Sequence, residues 1–212
     1  MQAYLEDAVV KYQSLAGGCS MRKVTTPFLE DTDPDAAVNT TAAVPGGGLV
    51  PAVPPAGELK NVCASILMKL LYVARMCRYD LRHAIGRLAC LITKWDCHCD
   101  RMLHRLMCYV FSTPHVRKVG WVGDDVGDIG VHLYADADVA CCKRTGRSTY
   151  GAFLCMGGPD TVFPLQAASR KQTAVSHSTP EAEIVAADMA LRVIGVPALP
   201  LWDTILEREA LC

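Results

Sequence analysis

The sequence predicts an α+β protein, and three observations carry that prediction. Apolar residues recur at helical spacing from residue 59 to about residue 112. Short β-rich stretches broken by Gly, Asp and Pro follow, as far as about residue 171. A helix with strong start signals, STPEAEIVAADMALRVIG, comes next. Helices first, then strands in series, then helices is an α+β order and not a βαβ alternation.

The elements follow in order. Residues 1–15 (MQAYLEDAVVKY and beyond) have the pattern of a short amphipathic helix, which argues against a signal peptide. Residues 16–58 are rich in Pro, Gly, Ala and Thr and lack periodicity, so a linker is expected, with VPAVPPAG able to form polyproline II. In ELKNVCASILMKLLYVARMC, Val62, Ile66, Leu70 and Val73 fall on one helical face. RYDLRHAIGRLACLITKW gives a second helix with Asp80 as a suitable N-cap, and DCHCDRMLHRLMCYVFST a third that ends before Pro114. GVHLYADA, STYGAFLCMGG and DTVFPLQAAS then suggest a three-stranded antiparallel meander. The expected organisation is therefore 1–58 (terminal helix and linker), 59–115 (helical) and 116–212 (sheet and helices).

Composition narrows the class. Of 212 residues, 51% are hydrophobic and 20% charged, which suits a packed domain rather than a disordered chain. A net charge near −1 excludes a basic footprint over the whole molecule but not a local one. Eleven cysteines, an odd number with several in helical stretches, point to free thiols in a reducing, intracellular compartment, cytoplasm or nucleus. No uninterrupted run of 18 apolar residues is present, so no membrane span is expected.

Three groups of residues could carry chemistry. Asp136 lies late in the strand GVHLYAD, and Glu181 and Glu183 lie in the first turn of the helix after the meander. If that helix crosses the sheet, one glutamate could face Asp136. Two carboxylates within about 4 Å would need a cation such as Mg²⁺ between them. The plainer alternative is a turn at Asp136 and glutamates that favour the positive helix start. The second group is Cys97, His98, Cys99, His104 and Cys108. Its 97/99 spacing is wrong for a zinc knuckle; His104 and Cys108 at i, i+4 could share a metal, and thiols and a histidine on a packed helix are the plainer account. The third is a basic set, Lys69, Arg75, Arg78, Arg82, Arg87, Lys94, Arg101 and Arg105, with Arg117 and Lys118 beyond. It is either a phosphate-contacting face or a solvated one. The GDD at 123–125 reads as a turn.

"YADAD", "TGRSTYGAFLCMGG" and "SRKQTAVSHSTPEAEIVAADMALR", in this order over residues 133–192, resemble the ribonuclease H domain of copia-type LTR retrotransposon polyproteins. "LMKLLYVARMCRYDLRHAIGRLACLITKW" and "CDRMLHRLMCYVFST" are similar to the connection that precedes it, and "KVTTPFLED" resembles the end of the polymerase portion. The resemblance implies a ribonuclease H-like fold and Mg²⁺-dependent hydrolysis of the RNA strand of RNA–DNA hybrids. In it Asp136 and Glu183 are the catalytic, metal-binding carboxylates, and Asp138 shapes the turn. Arg147, Arg170 and Lys171 are placed near nucleic acid, within blocks that include Ser148, Thr149, Gly151, Ser169 and Gln172. Tyr150 departs from the serine frequent in the family. The later carboxylates of the pattern do not occur before LWDTILEREALC ends, and Asp203 and Glu207 stand in helical context. A truncated domain with an incomplete two-metal site and weak or absent activity is therefore expected. The alternatives are a catalytically dead nucleic-acid-binding or scaffold module, or a relic without function.

Overall fold

A computed structural model describes residues 1–28, 42–43, 49–50, 55–142 and 145–206. About half of the expected linker, including residues 51–54 of VPAVPPAG, lies outside the described residues. The chain forms two compact units, one of residues 1–74 with 80–116, the other of 75–79 with 117–212. The structure is α+β, as the sequence predicts.

The first unit is helical. Helix α1 (Gln2–Leu15) buries Leu5, Ala8, Val9 and Tyr12, and α2 (Cys63–Met76) buries Ile66, Leu67, Leu70 and Val73. Helices α3 (Arg82–Ala89) and α4 (Cys97–Ser112) contribute Ile85, Leu88, Leu103, Leu106 and Met107. These spacings of three and four residues build one apolar stripe per helix. The terminal helix α1 packs on α4, so it belongs to the helical body and not to a separate segment.

Capping fixes where α4 starts. Asp96 Oδ1 accepts the Cys99 amide at 2.8 Å. Asp80 does not cap α3, because residues 79–81 take a 3₁₀ turn and Leu81 becomes the N-cap. Asp100 holds the entry to the unit. Its carboxylate accepts the Glu58 amide at 2.7 Å, the Leu59 amide at 3.3 Å and the Trp95 indole N–H at 2.7 Å.

The second unit is a meander of β1 (Gly130–Cys142), β2 (Arg147–Gly158) and β3 (Thr161–Lys171), paired in that order and antiparallel throughout. Gly146, at φ +63°, makes the turn into β2. Ahead of β1, Trp121 forms a single antiparallel bridge with Val162. The GDD segment is a turn: the Gly123 and Asp124 amides donate to Thr161 Oγ1, and Asp124 Oδ2 accepts the Asp160 amide.

Helix α5 (Thr179–Ala190) covers one face of the sheet. Ser178 Oγ accepts the Glu181 amide, and Glu181 Oε2 accepts the His177 amide, which together cap its start. Its alanines 182, 186 and 190, with Ile194 beyond, pack on Ala137, Tyr150, Ala152, Leu154 and Ala168. A π-helical turn (Leu191–Gly195) leads without a break into α6 (Val196–Leu206). Gly195 lets the helix lie against Leu133, since a Cβ there would stand 3.0 Å from Leu133 Cδ2. Thr179–Ile205 is therefore one continuous helix, and by length and composition alone it is apolar enough to cross a membrane.

Candidate functional site: the open face of the sheet

Strand alternation decides which residues share a face. Ala137 pairs with Tyr150, and both are buried under α5. Asp136 pairs with Gly151 and therefore stands on the opposite, open face. The same parity puts His132, Tyr134, Asp136 and Asp138 in one file along β1, all exposed. Across the strands, Asp138 is level with Thr149 and Lys171, and Arg147 lies two residues along β2 from Thr149. Arg170 pairs with Tyr150 and belongs to the helix-covered side.

Aromatic rings continue the file. His132 and Tyr134 stack with centroids 6.4 Å apart, and Tyr134 stacks on Phe153 at 6.3 Å. Tyr79 meets Phe153 edge-on at 6.5 Å. The Tyr79 hydroxyl donates to the Leu165 carbonyl at 2.8 Å, and Lys118 Nζ lies 5.2 Å from the Tyr79 ring centre. A hollow of about 600 Å³ opens here, lined by His132, Tyr134, Phe153, Met156 and Val162 among others.

Of the residues singled out in the sequence, the fold thus gathers Asp136, Asp138, Arg147 and Lys171 on one face. It does not gather Glu183 with them. Glu183 is half-buried on α5, beside Ala182 and on the other side of the sheet. Neither this hollow nor the cavity of the helical unit is lined by Asp136 or Glu183. Among the described residues no three acidic, histidine or cysteine side chains are grouped to hold a metal ion. Gln172 proves to be structural: it is buried, and its side-chain nitrogen donates to the Ala182 carbonyl at 2.9 Å. Ser148 is buried too, its Oγ accepting the Ala140 amide.

The basic set is not one face. Arg78 is almost fully buried, Lys69 pairs with Asp7, and Arg105 is tied to the Thr26 carbonyl and hydroxyl. Lys118 reaches the open face, as its place over Tyr79 attests. Sequence reading missed Tyr134, His132 and Phe153. The signal was present in the alternation of HLYADAD, which puts Tyr134 and Asp136 in phase.

The cysteine–histidine group divides. Cys97 and Cys99 begin α4, whereas His104 and Cys108 are a contact pair, with Cys108 Sγ 3.4 Å from His104 Nε2. Cys19, Cys63, Cys77, Cys90, Cys97, Cys108, Cys141 and Cys155 are free thiols. Burial pushes the Cys63 and Cys155 thiols up.

Comparison with family models, with curated proteins and with solved structures gives no match.

Proposed function

We propose that this chain is a ribonuclease H-like piece of a copia-type retrotransposon polyprotein that binds nucleic acid across the open face of its sheet. In this reading it cleaves the RNA strand of a hybrid weakly or not at all. The observation that supports binding is the file His132, Tyr134, Asp136 and Asp138, four alternate exposed positions in which stacked rings lead to carboxylates. Bases stack on aromatic rings whatever their sequence, at roughly 1–3 kcal/mol each. Lys118, Lys171 and Arg147 lie where phosphates of such a strand would pass.

The reading of weak or absent turnover has its own support. Mg²⁺ is what the resemblance implies, but the donor set does not fit a two-ion site. Asp136 and Glu183 belong to different sides of the sheet, and Asp138 is Asp136's one acidic companion in the file. Two-ion hydrolysis needs both ions clamped about 3.5–4 Å apart.

The test is fluorescence anisotropy with a labelled RNA–DNA hybrid and a labelled single strand, at low and high salt. Binding should weaken steeply with salt, and Tyr134→Ala should weaken it about tenfold. Absence of binding at low salt, or equal affinity of Tyr134→Ala, overturns the reading. Hybrid cleavage in Mg²⁺ that Asp136→Asn abolishes would replace it with an active nuclease.

A further inference from the structure

The cavity of the helical unit holds chemistry that the nucleic-acid reading does not use. It measures about 430 Å³, enough for a small molecule, and Tyr12, Cys19, Arg22, His104 and Cys108 are among its lining residues. His104 Nε2 is 3.4 Å from Cys108 Sγ, and His104 Nδ1 is 3.0 Å from the Tyr12 hydroxyl. The Arg22 amide donates to Cys108 Sγ at 3.5 Å. A thiol, a base within reach of it and a third group that orients the base are the parts of an activated nucleophile.

Tyr12 is buried, and burial first, then Cys19, holds its phenol far above the usual range. In the Nδ1–H tautomer the Tyr12 oxygen accepts from Nδ1 at 3.0 Å, which leaves Nε2 free to take the thiol proton. Burial, and then the Arg22 charge, lower the proton affinity of His104. The charges around it are Arg22, Arg101 and Arg105 against Glu58 and Asp100. Asp100 is already engaged by two backbone amides and the Trp95 indole.

We propose that Cys108, His104 and Tyr12 form a nucleophilic thiol site for small electrophiles that carry an anionic group, which Arg22 and Arg101 receive at the cavity wall. In the reaction with iodoacetate the Sγ proton passes to Nε2, and the sulfur electron pair forms the S–C bond. Iodide leaves with the C–I pair, and the product is a thioether.

The experiment treats the full chain with limiting iodoacetate or iodoacetamide and measures each cysteine's modification by peptide mass spectrometry. Cys108 should react at least about tenfold faster than Cys63 and Cys155, and His104→Gln should slow Cys108 alone by about tenfold or more. Arg22→Gln should remove the preference of Cys108 for iodoacetate over iodoacetamide. Tyr12→Phe, which keeps the ring, should lower the Cys108 rate while leaving Cys63 protected, and so separates loss of orientation from loss of fold. Cys108 reacting no faster than Cys63 and Cys155, or reacting as fast in a folded His104→Gln, would overturn the proposal.

Discussion

The side-chain nitrogen of Gln172 donates to the Ala182 carbonyl at 2.9 Å, and this buried bond fastens the end of β3 to the first turn of α5. The Gln172 amide also donates to the Ser148 carbonyl, and Ser176 Oγ donates to Gln172 Oε1. Gln172→Ala removes the side-chain bonds to the Ala182 carbonyl and from Ser176, and should cost the sheet unit about 1–2 kcal/mol. Urea unfolding followed by a probe in the sheet unit measures it, and a change under about 0.5 kcal/mol would contradict the assignment.

Tyr150 gives the opposite prediction. Its ring is buried under α5, yet its hydroxyl has no hydrogen-bond partner among the described residues. An unsatisfied buried hydroxyl costs about 1–3 kcal/mol. Tyr150→Phe should therefore leave stability unchanged or raise it by about 1 kcal/mol. A loss greater than that in thermal melting would mean that the hydroxyl has a partner.

Asp100 anchors three donors with one carboxylate. Asp100→Ala removes the acceptor of all three bonds and should destabilise the helical unit by about 3 kcal/mol, while Asp100→Asn, which keeps one acceptor oxygen, should cost less. The order of the two variants in denaturant midpoint is the check.

The pH dependence of the helical unit follows from His104 and Tyr12. His104 binds a proton less readily folded than unfolded, because of burial and then Arg22. Its contribution to stability is complete above the ordinary histidine value, about 6.5, and is lost as pH falls below it. Tyr12 has a raised folded value, so its contribution is complete below the ordinary tyrosine value, about 10, and is lost as pH rises above it. Melting temperature should peak between these limits. His104→Gln should flatten the acid side and Tyr12→Phe the alkaline side; unchanged limbs in both would refute the linkage.

Much of the fold was legible because its signals are local. Asp96 and Ser178 sit directly ahead of apolar periodicity and cap the helices they announce. Asp80 carries the same signal but stands in a 3₁₀ turn, so it stops one residue short of being a cap. The three strands were legible from their breakers. The site was less so. Placing Asp136 towards α5 treats the strand end as a point. The pairing Asp136–Gly151 beside Ala137–Tyr150 makes it a matter of parity. Tyr12 and His104 are 92 residues apart, and no local pattern joins them. Arg78 is buried against the expectation for arginine, which composition alone does not reveal.

Strand β1 is hydrogen-bonded on one side only among the described strands. Its other border presents backbone donors and acceptors that meet no strand among the described residues. A β-segment from another molecule could extend the sheet there without any side-chain code. Protein concentration then becomes a variable of state: dilute preparations should stay monomeric, and concentrated ones should lengthen sheet by sheet until that border is filled.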